Sequence, residues 1–188
     1  MPDLTFVTGN ADKFASAEHV CAEYGLTIEQ ASPEIDEVQS EDSGYIARKK
    51  AEAAYDLLKK PLIISDDSWH IPGLKGFPGP YMKSMNHWFS VEDFLRLTSG
   101  LQDRSVILVK WLVYQDDSIQ HVVRNEVKGT ILTVPKGDGI VPWTRLVVLE
   151  GDNGKTIAEV YEHKVGLDKR QSAVVWHDFV EWFKKEAL

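Results

Sequence analysis

Apolar positions along the chain fall into short blocks divided by Gly, Pro and acidic turns. Leu4-Thr5-Phe6-Val7 reads as a short buried strand, broken by Thr8-Gly9-Asn10. A helix follows over 11–24, with Phe14, Ala17 and Cys21 on one side at three- and four-residue spacing. Gly25 sets off a second strand over 26–30, and 33–39 is a polar extended segment. Ser40, Asp42 and Ser43 are N-cap candidates for a helix over 45–58 that buries Ala47, Ala51, Ala54 and Leu58. An apolar strand over 61–64 ends in Asp66 and Asp67, and a Gly/Pro-rich loop leads on to Tyr81 and Lys83. Further on, 91–101 reads as a helix, and 105–114 with 119–126 as a β-hairpin turning at 115–118. Segment 127–134 continues the sheet, 143–150 reads as one more strand and 156–161 as extended chain, with a loop at 135–139 and a turn at 151–154. The chain closes on an amphipathic helix over 172–185, whose Val175, Trp176, Phe179, Trp182 and Phe183 suit a core or a dimer surface. Strands follow strands directly in the middle of the chain, so the pattern predicts a mixed α/β sheet with flanking helices rather than an all-parallel one.

Composition narrows this. At 188 residues, the chain fits one domain over 1–188 with a proper core. A net charge of −8 makes the surface as a whole repel nucleic acid and anionic membranes. An anionic substrate must then be met by a local basic patch, a metal, or both. The single cysteine, Cys21, excludes an internal disulfide and a cysteine-rich zinc site. With no apolar run near the ~20 residues of a membrane span, and with the N-terminus entering a strand at once, the expected home is the reducing cytoplasm.

The candidate chemistry is hard-ion and phosphate chemistry. Two adjacent carboxylates at a strand end suit Mg²⁺, which takes one or two of them and leaves its other positions to water and phosphates. Taken alone, Asp-Asp-Ser after a strand is more often a turn or an N-cap. The strand–Gly–helix unit at 4–24 offers helix N–H groups plus Lys13 to a phosphate, though such units are commonly plain architecture. Arg48, Lys49 and Lys50 cluster near a helix start, where the helix dipole does not favour cations. The six histidines show no ligand-like spacing, and no Cys/His or Ser/His nucleophile constellation competes.

Four fragments together resemble the inosine triphosphate pyrophosphatase (Ham1-like) family. They are Phe6-Val7-Thr8-Gly9-Asn10-x-x-Lys13, Ile35-Asp36-Glu37 with the Lys49-bearing helix, Ser65-Asp66-Asp67-Ser68, and Gly76-Phe77-Pro78-Gly79-Pro80-Tyr81-x-Lys83. The resemblance implies an elongated mixed sheet in two lobes around a central cleft. It also implies Mg²⁺-dependent hydrolysis of aberrant, inosine- and xanthosine-type nucleoside triphosphates to monophosphate and pyrophosphate, by a homodimer. By the same resemblance, Thr8, Asn10 and Lys13 sit at the triphosphate, Lys49 and Lys83 in the substrate cleft, and Glu37 is a metal ligand. Asp66 and Asp67 correspond to the acidic pair that binds metal and activates water. Ungapped spacing to Pro-Gly-Pro-Tyr selects Asp66, and the local Asp-Asp-Ser pattern selects Asp67.

The chain also departs from the family pattern. Where Phe-Gly-Trp/Tyr-Asp-Pro is usual, the chain has Gly137-Asp138-Gly139-Ile140-Val141-Pro142-Trp143-Thr144-Arg145, so Trp143 is the candidate stacking ring, the following Asp is missing and Arg145 lies near its place. Where Ser-His-Arg is usual, it has Asp168-Lys169-Arg170, with Lys164 upstream. Lys164, Lys169 and Arg170 are then the candidates for base and substrate contact. Cations in place of neutral or acidic partners change which base edge is satisfied. Two alternatives therefore stand beside the inosine/xanthosine activity. One is the same chemistry on a pyrimidine or modified base; the other is nucleotide binding without turnover.

Overall fold

The computed structural model describes residues 3–163 and 174–186. In chain order the elements are β1 (Leu4–Val7), α1 (Ala11–Glu23), β2 (Ile28–Ala31), α2 (Ser43–Leu58), β3 (Leu62–His70), β4 (Pro78–Gly79), α3 (Met82–Trp88) and α4 (Val91–Thr98). They continue with β5 (Ser105–Gln115), β6 (Gln120–Ile131), β7 (Val147–Leu149), α5 (Ile157–His163) and α6 (Val174–Glu186). Strands hydrogen-bond in the order β2-β1-β3-β5-β6-β7, with β4 paired to β3. The sheet is mixed as expected: β1 runs parallel to β2 and β3, while β4 and β7 run antiparallel to β3 and β6.

The chain divides into two compact units. One comprises Met1–Asp66, Lys110–Asn125 and Ala173–Leu188, the other Asp67–Val109 and Glu126–Ser172. In the first, alternate strand residues feed two cores, as the period of two requires. Phe6, Ile63, Leu112 and Tyr114 pack with α1 and α6, while Val7, Leu62, Ile64 and Val113 pack with α2. The aromatics of α6 belong to this core, with Phe179 at 0% exposure; Trp182 lies at its margin and stacks on His121 at 3.6 Å between centroids. Ala47, Ala51 and Ala54 give α2 a face without bulk, and all three are fully buried against the strands. The second unit has its own core around Phe94, Val106, Ile131, Trp143 and Leu146.

Several segments differ from the sequence reading. The third strand runs through Ser65, Asp66, Asp67 and Ser68 to His70, so the acidic pair lies inside a strand and not at its end. The Pro-Gly loop folds back as β4 and pairs with Trp69 and His70, which carries the strand past the polar residues. Segment 127–134 continues the sheet only to Ile131, as the end of β6. Segment 143–150 splits into a 3₁₀ turn at Pro142–Arg145, with Pro at its start, and the three residues of β7. Segment 156–161 is mostly helix, because Thr156 and Glu159 form a reciprocal cap: Glu159 N–H donates to Thr156 Oγ1 at 3.3 Å, and Thr156 N–H to Glu159 Oε2 at 2.8 Å. The short α3, which buries Met82 and Met85, has no counterpart in the sequence reading.

Candidate active site

In the first unit the turn after β1 is held by its own side chains. Asn10 N–H donates to Thr8 Oγ1 at 3.1 Å, and Asn10 Oδ1 caps α1 by accepting from Asp12 N–H at 2.9 Å and Lys13 N–H at 3.1 Å. Thr8, Asn10 and Lys13 thus sit together at one helix start. An incoming phosphate would compete with Asn10 Oδ1 for those two N–H groups.

Segment 33–39 is pinned by Ile35, which packs against the α2 core. That anchor brings Glu37 within reach of Lys50 on α2, and Lys50 Nζ donates to Glu37 Oε1 at 2.5 Å. Lys49, one residue earlier, donates to Glu52 at 2.6 Å and lies 5.9 Å from the Tyr45 ring centroid. The Glu52 hydrogen bond, followed by its charge, raises the Lys49 pKa and keeps it a cation. The start of α2 is seated on β5. Trp111 Nε1–H donates to Ser43 Oγ at 3.0 Å, Arg124 stacks over the same indole at 5.3 Å, and a Cβ on Gly44 would come within 2.8 Å of the ring. Asp66 is partly buried and shares a strand face with Leu62 and Ile64, under α2.

In the second unit, Asp67 is partly buried on the opposite face of β3. Beyond it, Ser68 Oγ and His70 Nε2 lie 3.0 Å apart on one strand face. Lys83 is exposed in the first turn of α3, just past the Pro78-Gly79-Pro80-Tyr81 fold-back. The loop before Trp143 is tied down at many points. Thr156 Oγ1 donates to Lys136 O, Arg145 Nε–H to Gly137 O, and Asp138 N–H to Glu162 Oε1. Gly139 lies so close to α5 that a Cβ would come within 2.8 Å of Ala158 Cβ. Trp143, expected as a stacking ring, is 1% exposed, with its indole against Trp69 and Phe94 at 5.8 and 5.2 Å. Solvent meets Ile140 instead, at 99% exposure.

Lys164, Lys169 and Arg170 lie outside the described residues. Among the described residues, no three His, Cys, Asp or Glu side chains group to hold a metal ion. The donor chemistry of Glu37, Asp66 and Asp67 nonetheless fits a hard divalent cation, since Mg²⁺ needs only one or two protein carboxylates. The pairing of Lys50 with Glu37 and the seating of Trp111 on Gly44 are additions of the structure to the sequence pattern. Only the Lys-Lys doublet and a glycine at a helix start hinted at them.

The chain matches the Ham1 family over residues 4–177. It is 29% identical over 183 residues to the dITP/XTP pyrophosphatase of Methanopyrus kandleri, covering 96% of each chain. It is 32% identical over 160 residues to the dITP/XTP pyrophosphatase of Ignicoccus hospitalis, covering 84% of each. A solved structure of a HAM1 protein from Coxiella burnetii matches it with a TM-score of 0.80, covering 98% of this chain and 100% of its own, at 16% identity, a likeness of fold.

Proposed function

The chain belongs to the Ham1 family, and from that premise we propose that it hydrolyses inosine- and xanthosine-type nucleoside triphosphates to monophosphate and pyrophosphate, clearing them from the nucleotide pool. The observation that carries the reading is the family match itself, which spans 4–177 and so takes in the phosphate and carboxylate motifs together. Residues 1–188 act in this reading as a single catalytic domain, in a cytoplasmic homodimer without nucleic-acid or membrane partners. No described helix is long and apolar enough to cross a membrane, and the net charge of −8 disfavours nucleic acid.

Glu37, Asp66 and Asp67 are the candidate ligands for Mg²⁺, of which one or two would hold it. When bound, the cation supplies charge neutralisation and polarisation of phosphoryl oxygens. The chain's own residues position the substrate, which is most of what phosphoryl chemistry asks of a protein. Thr8, Asn10 and Lys13 receive phosphate oxygens at the start of α1, and Lys49 and Lys83 add cationic contacts. One carboxylate of the Asp66-Asp67 pair takes the proton from the attacking water. Lys164, Lys169 and Arg170 are assigned to substrate and base contact by their motif positions.

A second reading keeps the reaction and changes the base. The burial of Trp143 favours it, because a ring covered by Trp69 and Phe94 offers no open face for stacking. The test is a panel of ITP, XTP, dITP, dUTP and the standard ribo- and deoxyribonucleotides with Mg²⁺, with pyrophosphate and orthophosphate read separately. Pyrophosphate from ITP and XTP, lost in the Asp66→Asn, Asp67→Asn double variant, is the expected result. Pyrophosphate from another base instead moves specificity to the second reading. Calorimetric binding with no product over hours overturns the enzymatic reading.

A further inference from the structure

The carboxylate assigned to the metal is already occupied by a cation of the protein's own. Lys50 Nζ donates to Glu37 Oε1 at 2.5 Å, and the two residues are thirteen apart in sequence. Two local features enforce the meeting. Ile35 anchors segment 33–39 against the alanine face of α2, and Lys50 projects from the third turn of that same helix. The Lys50 side chain is 21% exposed and that of Glu37 44%, so the lysine stem is largely packed while the carboxylate remains open to solvent. Neighbouring Lys49 is committed elsewhere, to Glu52 at 2.6 Å. The helix thus carries two adjacent lysines with different partners, and only the second faces the acidic segment.

We propose that Lys50 is an internal stand-in for the divalent cation, holding the Glu37 carboxylate in place until a metal displaces it. This rests on the reading of Glu37 as a metal ligand. The Lys50 ammonium offsets repulsion between the Glu37 carboxylate and the adjacent Asp36 in a chain of net charge −8, and narrows the rotamers that Glu37 samples. It also sets a threshold, because one carboxylate oxygen cannot keep a close ammonium and accept a metal equally well. A half-exposed ion pair is a weak competitor, so the threshold is modest: releasing it should tighten metal binding about two- to fivefold. Because the competition is between exposed charges, added salt should narrow the difference.

The experiment titrates Mn²⁺ into the full chain in the presence of α,β-imido ITP, reading free Mn²⁺ by its EPR signal. It compares wild type, Lys50→Met, Lys50→Arg and Glu37→Gln, each shown to be folded by its thermal melt. Methionine keeps the packed stem and removes the charge. The expected result is Mn²⁺ affinity raised about two- to fivefold in Lys50→Met, near wild type in Lys50→Arg, and reduced in Glu37→Gln. Unchanged affinity in Lys50→Met alongside a loss in Glu37→Gln overturns the stand-in role and leaves Glu37 as a ligand. Weaker Mn²⁺ binding in Lys50→Met overturns it too, and makes Lys50 a contributor to nucleotide binding. Unchanged affinity in both Lys50→Met and Glu37→Gln overturns the metal assignment of Glu37, and the stand-in role with it.

Discussion

Adjacent residues of a strand face opposite ways, and Asp66 and Asp67 are adjacent in β3. Asp66 continues the face of Leu62 and Ile64, on which α2 packs, and α2 also carries Lys50, the partner of Glu37. Asp67 continues the face of Ile63 and Ser65. Two carboxylates so placed do not serve one ion symmetrically, and their single variants should behave differently. Asp66→Asn is expected to raise the Mg²⁺ concentration for half-maximal rate by ~10-fold or more. Asp67→Asn should leave that concentration within about twofold and lower kcat instead. The check is a Mg²⁺ titration of rate at saturating nucleotide for both variants. Equal shifts in the metal requirement would mean that the strand faces do not separate their roles.

At the scale of elements, two of the helices start on reciprocal caps, Ser90 with Asp93 at α4 and Thr156 with Glu159 at α5. The second also holds the loop before Trp143, since the fully buried Thr156 hydroxyl donates to Lys136 O at 3.1 Å. Thr156→Ala should therefore cost about 1–2 kcal/mol, a fall of roughly 2–8 °C in the melting midpoint. Thr156→Ser, which keeps the hydroxyl, should recover most of it, and a melt of Thr156→Ala matching wild type would show the cap to be idle. The sequence carries this cap as Thr-x-x-Glu at 156–159, a signature that the expectation of extended chain over 156–161 did not use. The other elements were legible where one apolar period dominated, as in α1, α2 and α6. They were not where the sheet imposed the answer: Ser65 to Ser68 read as a strand end, but β3 lies between β1 and β5 and pairs beyond them with β4 at Trp69 and His70. The site divides the same way. Thr8, Asn10 and Lys13 lie within six residues of one another, and their grouping follows from the turn itself. The meeting of Glu37 with Lys50 depends on where Ile35 packs, and the burial of Trp143 on Phe94 and Trp69, which come from distant parts of the chain.

For the whole molecule, the dependence of stability on pH follows from which groups change affinity for protons on folding. Asp3, Asp93, Asp103 and Glu159 each accept a backbone N–H, and Glu29 accepts from Lys60, which holds all five below their ordinary carboxylate values. Their contribution is present above the unfolded values, near pH 4, and is lost as pH falls through the lower folded ones. His121, stacked on Trp182, has its pKa lowered by burial, so its protonation begins to oppose the fold below about pH 6.5. The alkaline side is set by two groups that burial keeps protonated. The Cys21 thiol is pushed up to about 12, and the Tyr114 hydroxyl, buried and donating to Asp116, is raised as well. Their contribution is complete below the unfolded values and is lost as pH rises toward the folded ones. The urea midpoint should accordingly be flat near pH 7–8, fall gently below pH 6.5 and steeply below about pH 4, and fall again above about pH 9. Cys21→Ala separates the two alkaline contributions. It lowers the midpoint at every pH by leaving a small cavity, but it removes the thiol, so the decline between about pH 9 and 11 should be shallower than in wild type. An alkaline limb of unchanged slope in Cys21→Ala would assign that limb to Tyr114 or to general charge repulsion, and would show that folding does not raise the pKa of the Cys21 thiol.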